Sequence, residues 1–215
     1  MMKNKIFITA VLSLTSTVLF SQNLTFKDKN LEKAVVENFD INKDKGISKF
    51  EAEAITNLFL VNKGITSTDD LVYFKNATMV VLDDNLIAYA AIKNLSKLEL
   101  FSCTGCKISK FEADNVQNLT SLYLDNNSIE NIMFRVAPRI NQLTLSLNKL
   151  KTIDLSSLKN LRKLNLEHNQ LQKLDISLNK DLQALNLGGN KMKETDVKKG
   201  LKTDVTIFLD EQKEQ

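Results

Sequence analysis

The chain has 215 residues, of which 43% are hydrophobic and 26% are charged, with only six glycines and one proline. This composition is too apolar for a disordered chain. Lysine and arginine together number 29 against 26 acidic residues, and without the early Lys3 and Lys5 the balance becomes 27 to 26, or +1. So small an excess of charge excludes an electrostatic footprint for nucleic acid.

The first 22 residues have the features of a secretory signal peptide. Lys3 and Lys5 precede an apolar stretch over residues 6–20, and Ser21 and Gln22 follow it. The apolar stretch is too short and too rich in serine and threonine for a comfortable membrane span. We therefore expect an exported protein (periplasmic, on the cell surface or secreted) with no membrane span after signal removal. No cysteine lies near the cleavage region, so a lipid anchor is not expected.

Residues 23–54 are predicted to form a small helical cap. A short amphipathic helix over residues 29–38 would carry Leu31, Ala34 and Val35 on one face. Ser48 and Glu51 have the spacing of a capping box, in which each side chain bonds the backbone N–H of the other residue. A second helix, over residues 50–55, is therefore predicted to begin there.

The segment between these helices has the spacing of an EF-hand calcium loop. Gly46 would offer its carbonyl, and the glycine normally found at the sixth position is replaced by Lys45, which would need a positive φ. Two interpretations stay open: a weak calcium site, and a metal-free turn held by the capping box. The side-chain ligands of the calcium site would be Asp40, Asn42, Asp44 and Glu51.

From residue 98 onward the sequence repeats every 21 residues. Each repeat has mostly aliphatic residues at its first, fourth, sixth and eleventh positions, and most have asparagine at the ninth. The same register extends backwards to Ala77 and, with one extra residue, to Ile55. A period of this length is typical of a solenoid in which each turn contacts only its neighbours. The repeats begin at Leu98, Leu119, Ile140, Leu161 and Leu182.

This pattern predicts a leucine-rich repeat solenoid, an α/β-type repeat of about seven turns of 21–22 residues. The repeats would span residues 55–202, with a terminal strand and polar tail over residues 203–215. Positions three to seven of each turn would form strands of one parallel concave sheet, with the fourth and sixth side chains pointing inward. The ninth-position asparagine is expected to bond backbone groups and so to be structural. The outer half of each turn lacks helical periodicity, which predicts a non-helical convex side.

Two segments, LSSLKNLRKLNL (residues 155–166) and LDISLNKDLQALNLGGN (residues 174–190), resemble the repeats of secreted bacterial leucine-rich repeat proteins of the internalin type. The resemblance includes the helical cap before the repeats and covers nearly all of the mature chain. It implies binding of a protein or glycan at the cell surface or in the envelope, which is an inference from the fold.

The outward strand positions define a candidate partner-binding surface. Its first half is apolar with an acidic edge and its second half is polar, and clustered apolar side chains on a surface favour an interaction site. Phe59 and Val61 either join this surface or are buried under the cap. The candidate partner-binding residues are Met79, Val81, Asp83, Leu100, Tyr123, Asp125, Lys163 and Asn165.

Cys103 and Cys106 occupy the sixth and ninth positions of one repeat, and both positions point inward. An exported chain permits a disulfide, but a bridge across so tight a bend is expected to be strained. The pattern therefore favours two cysteines packed as small hydrophobic residues.

No motif indicates catalysis. The single histidine, His168, lies at a variable concave position beside Glu167, where a surface role is far more common than a catalytic one. We expect a monomeric, non-enzymatic module that binds a protein or glycan and no nucleic acid. The alternative is a structural or self-associating envelope protein, joined through the apolar patch or the terminal strand.

Overall fold

The computed structural model describes residues 22–201 and 204–209, so the predicted signal peptide lies outside the described residues except for its last position. In this part of the chain, α1 (Lys29–Phe39) and α2 (Lys49–Ala54) precede a series of short strands, and two 3₁₀ segments occur at Asp69–Tyr73 and Glu194–Asp196. The strands, in chain order, are β1 (Asn57–Phe59), β2 (Met79–Val81), β3 (Tyr89–Lys93), β4 (Leu100–Ser102), β5 (Lys110–Asp114), β6 (Ser121–Tyr123), β7 (Asn131–Phe134), β8 (Gln142–Thr144), β9 (Lys163–Asn165), β10 (Leu174–Asp175), β11 (Ala184–Asn186), β12 (Val197–Lys198) and β13 (Thr206–Phe208).

The concave face is one parallel sheet of eight described strands in the order β1-β2-β4-β6-β8-β9-β11-β13. The middle residue of each strand is the fourth residue of its repeat and lies opposite its counterpart in the next turn, as Phe101 does with Val80 and Leu122. These three side chains are fully buried, because position four faces the core. The predicted leucine-rich repeat solenoid of about seven turns is confirmed.

The convex side carries short strands and 3₁₀ segments, as the lack of helical periodicity predicted. Strands β3, β5 and β7 form one parallel sheet, and β10 pairs with β12 in another. The convex half of the turn over residues 150–155 contains no strand, so the sheet that ends at β7 is not continued to β10. In that turn the Asp154 side chain accepts the N–H of Ser156, a local turn that favours ending an extended segment.

Asparagines at the ninth position hold the turns together through backbone groups. Asn148 donates its side-chain N–H groups to the carbonyls of Leu124 (2.9 Å) and Leu145 (3.1 Å), and its Oδ1 accepts the N–H of Ile129 (2.9 Å). The amide side chain therefore bonds the preceding turn as well as its own, as predicted. Equivalent bonds to carbonyls are made by Asn85, Asn127, Asn169 and Asn190.

Each turn leaves the concave sheet through a residue at the eighth position that has a positive φ, between 52° and 69°. Glycine, asparagine, aspartate and histidine tolerate this left-handed conformation, whereas a leucine does not adopt it readily. The eighth-position residues are Asn62, Asp84, Gly105, Asn126, Leu147, His168 and Gly189.

Cys103 and Cys106 form a disulfide, so the prediction of two separately packed cysteines is wrong. Gly105 lies between them with φ +69°, and the bend brings their Cα atoms to 5.5 Å, a usual separation for a disulfide. The tight bend that was expected to oppose the bond is what places the two residues within reach. The bridge is fully buried and occupies the place of the ninth-position asparagine that this turn lacks.

Candidate functional site

Asp28 joins the helical cap to the first turn of the solenoid. One carboxylate oxygen caps α1 by accepting the N–H groups of Asn30 and Leu31, and the other accepts from Thr66 and Ser67. Burial raises the pKa of Asp28, but these hydrogen bonds outweigh it and hold the pKa below its ordinary value. The cap therefore packs on the solenoid as part of one continuous core.

The predicted EF-hand-like loop is folded around its own amide groups. Asp40 accepts the N–H groups of Lys43 (2.7 Å) and Lys45 (2.9 Å), and Asp44 accepts that of Gly46 (2.9 Å). Lys45 has φ +67°, the left-handed turn that the loop pattern requires at this position. The loop thus has a compact turn lined by oxygen atoms, which is the donor type that calcium takes.

Glu51 belongs to the predicted capping box. Its Oε2 accepts from the N–H and the hydroxyl of Ser48 (both 2.8 Å), and its Oε1 accepts the N–H of Ile41 (2.9 Å). Burial raises the pKa of Glu51, whereas these bonds lower it, with a net shift below the ordinary value. Within residues 22–201 and 204–209, no three acidic, histidine or cysteine side chains gather as a metal-binding group.

Three rows of side chains run across the concave sheet, one from each outward position of the strands. Neighbouring strands lie about 4.8 Å apart, so each row is a closely spaced line of side chains. The third-position row is Asn57, Met79, Leu100, Ser121, Gln142, Lys163, Ala184 and Thr206. The fifth-position row is Phe59, Val81, Ser102, Tyr123, Thr144, Asn165, Asn186 and Phe208. The seventh-position row is Val61, Asp83, Thr104, Asp125, Ser146, Glu167 and Gly188.

An apolar patch occupies the first three strands of this face. Phe59 is 55% exposed and Val61 is 43% exposed, so the cap does not bury them and they join the surface. Met79, Val81 and Leu100, three of the predicted partner-binding residues, are half-buried beside them. We call these five residues the apolar patch. Tyr123 lies half-buried on the next strand, β6.

Asp83 and Asp125 have bonds within the sheet that the sequence did not indicate. Asp83 accepts from the Ser102 hydroxyl (2.6 Å) and the Thr104 N–H (2.8 Å) in the following turn. Asp125 accepts in the same way from Thr144 and Ser146. Both predicted partner-binding carboxylates are therefore held in place by the following turn. In the sequence, the sign of these bonds is a serine or threonine at 19 and at 21 residues after each aspartate.

The second half of the concave face is a shallow depression with both polar and apolar side chains in its lining. Lys163 and Asn165, the last two predicted partner-binding residues, line it together with Asn186 and Phe208. Strand β8 separates them from Tyr123 and β6, so the eight predicted residues fall into two groups. Phe208 is half exposed at the end of the sheet, opposite Asn186, and the sequence does not indicate it because no repeat follows the terminal strand to fix its register.

His168 follows β9 at the eighth position of its turn. Its Nε2 is 3.7 Å from a carboxylate oxygen of Glu167, and its ring lies where a side chain on Gly189 would otherwise sit. Both contacts suit a surface residue packed on the next turn.

Comparison with known proteins supports the leucine-rich repeat fold. A sequence profile described as "Leucine rich repeat" matches residues 117–171. No curated protein matches the chain. Among solved structures, internalin C2 from Listeria monocytogenes is similar, with 19% identity, a TM-score of 0.52, and coverage of 87% of this chain and 94% of that chain.

A chain of the LRIM1/APL1C complex is similar over 67% of this chain, with 17% identity and a TM-score of 0.56. Our chain spans 36% of the length of that protein. At these identities the comparisons show the fold alone. In the described part of the chain, no helix has the length and apolar character needed to cross a membrane.

Proposed function

We propose that this protein is an exported, non-catalytic binding module that recognises a protein partner through its concave face. The observation that carries the proposal is the apolar patch, which remains open to solvent on a sheet whose other side is fully packed. An exposed apolar cluster on a soluble domain is costly unless a partner covers it. Such a surface favours a polypeptide over a glycan, which would use the polar half instead.

The test is capture of envelope and host-surface material on the immobilised mature chain and on two matched double variants. Met79→Asp with Tyr123→Asp changes the concave face, and Met133→Asp with Tyr89→Asp makes the same changes on the exposed convex side. We expect the concave variant alone to lose the partner. Equal capture by both variants would refute the concave face as the binding surface.

We also propose that the loop over residues 40–51 binds calcium weakly. The all-oxygen donor set and the left-handed turn at Lys45 support it. Asp40 and Asp44 accept N–H groups of the loop, and Lys45 adds a positive charge beside it, so the affinity is expected to be weak, at about 10⁻⁴–10⁻³ M. Bound calcium would then rigidify the cap.

Calorimetry and melting with calcium or chelator test this second proposal. Calcium at millimolar concentration should raise the melting temperature by mass action. Lys45→Gly should tighten binding by removing strain and charge, whereas Asp44→Asn should weaken it and still accept the N–H of Gly46. If calorimetry detects no heat of binding and the melting temperature does not respond to calcium, the loop is a metal-free turn.

The structural alternative, self-association in the envelope, is favoured by one observation. Phe208 is exposed on β13, and the apolar patch is exposed at the other end of the same sheet. Light scattering of the mature chain distinguishes the two functions. We expect a monomer, and a stable dimer that dissociates on Leu100→Lys would favour self-association.

A further inference from the structure

The first four turns carry negative charge on and beside their concave strands, and no described residue forms an ion pair with it. Positions one to eight of these turns contain four acidic residues and no lysine or arginine. None of the four forms an ion pair with any residue in the described ranges. By contrast, Glu112 and Asp175 on the convex side are paired with lysines at 2.8–3.1 Å. The four acidic residues are Asp83, Asp84, Glu99 and Asp125.

The fold does not require the charge at two of these positions. Asp83 uses only Oδ1 for its bonds to Ser102 and Thr104, and the amide oxygen of an asparagine would accept both of them. Asp84 has a positive φ, as do Asn62 and Asn126 at the same position of other turns, and its side chain makes no hydrogen bond within the described residues. Asparagine would therefore satisfy both sites, and the negative charge calls for another explanation.

These carboxylates border the apolar patch. Val81, Asp83 and Asp84 lie at the end of β2, so an apolar side chain and two carboxylates are presented together at one edge of the sheet. Asp125 lies two strands away on the same row, at a distance of about 10 Å from the row position of Asp83. A ligand on the patch would thus meet anionic groups along one side.

We propose that the partner segment seated on the apolar patch is a stretch of polypeptide with an apolar anchor flanked by lysine or arginine. Burial of the anchor supplies affinity, and the cations complement Asp83, Asp84 and Asp125. This chemistry gives specificity, because an acidic segment of equal apolar content would be repelled by the same edge. The inference rests on the proposed function and names the class of partner.

Three synthetic peptides of one length test the pairing. All share a phenylalanine and two leucines in a glycine–serine background, and their flanking residues are four lysines, four glutamines or four glutamates. Binding is measured by fluorescence anisotropy to the mature chain. We expect the lysine peptide to bind best, the glutamate peptide worst, and the preference to shrink as salt is raised, since exposed charges are screened.

Variants then locate the pairing. Asp83→Asn with Asp84→Asn should lower the affinity for the lysine peptide by about five- to tenfold and leave the affinity for the glutamine peptide unchanged. Asp154→Asn with Asp181→Asn removes the same charge outside the concave face and should change neither. Val81→Thr should lower the affinity for all three peptides, because all three share the apolar anchor.

Equal binding of the lysine and glutamate peptides, no binding of any peptide, or indifference to the Asp83 and Asp84 changes would overturn the inference. The proposed function would survive any of these results if capture of the natural partner still depended on Met79 and Tyr123. It would fail separately if capture did not depend on them.

Discussion

Leu147 is held in a backbone conformation that its side chain disfavours. It has φ +55° and is 52% exposed, while the equivalent residues of the other turns are glycine, asparagine, aspartate or histidine. The repeat geometry requires the left-handed turn at this position, because the chain bends there toward the ninth-position asparagine. The sequence shows which residue stands there, but the need for a positive φ became visible only in the structure.

Leu147→Asn should therefore raise the free energy of unfolding by about 1 kcal/mol, since asparagine visits the left-handed region at lower cost. Asn126→Leu, at the same position one turn earlier, is the matched control and should lower it by a similar amount. Urea denaturation of the two variants and the parent measures both changes. An Leu147→Asn protein no more stable than its parent would show that the turn stores no strain.

The buried disulfide replaces an asparagine that every neighbouring turn uses. A bridge closing so short a loop is worth about 2 kcal/mol on the chain-entropy account, so reduction should lower stability by up to that amount. Cys103→Ala with Cys106→Ala should match the reduced protein. Cys103→Ala with Cys106→Asn should be more stable than the double alanine, because the amide can reach the carbonyl of Leu82, as Asn85 does. Denaturation with and without reductant compares them, and equal stability of the two double variants would contradict this role.

Among the elements, the convex sheet is the part least predictable from the sequence. The lack of helical periodicity correctly predicted an extended back, but only β3, β5 and β7 pair over several residues. Local turns limit the pairing of the later convex segments. Asp154 and Asp175 each accept the N–H of a serine two residues later, which ends the extended segment there. The concave strands were predictable because every turn repeats the same inward positions. The disulfide is not predictable from the spacing of its cysteines, because the positive φ of Gly105 sets the distance between them.

Glu112 on β5 links the convex sheet through two ion pairs. Lys110 and Lys93, at 2.9 and 3.1 Å, lower the pKa of Glu112 to about 2. A depressed pKa means that this stabilisation is fully present above about pH 4.5 and is lost as the pH falls through 2. Glu112→Gln should flatten the loss of stability across this window and destabilise the protein at neutral pH. Urea denaturation at several pH values measures it, and parallel curves for the two proteins would contradict the assignment.

The solenoid has one continuous core from the cap to the last turn. Each turn depends on its neighbours, so the register given by the repeat also governs stability. The sequence was sufficient for the fold and for the outward residues. It was not sufficient for the bonds that hold Asp83 and Asp125, nor for the exposure of Phe59 and Val61, because both depend on contacts between turns.

Leu145→Asp or Leu166→Asp should unfold the solenoid, because each side chain is fully buried between turns and an unpaired carboxylate there costs several kcal/mol. Circular dichroism and the thermal midpoint measure the loss. Lys149→Asp, on an exposed side chain nearby, is the control and should change little. A native spectrum and midpoint in either leucine variant would mean that the register is wrong.

A protein partner that occupies the apolar half of the concave face should lie within reach of photoreactive side chains placed there. Site-specific photo-crosslinking in the producing cell checks this occupancy, with the photoreactive residue placed at Met79 or Leu100 on the concave face and at Met133 or Tyr89 on the convex side. We expect one discrete crosslinked protein from both concave positions and none from the convex pair. The same product from the convex positions, or no product from either concave position, would contradict it.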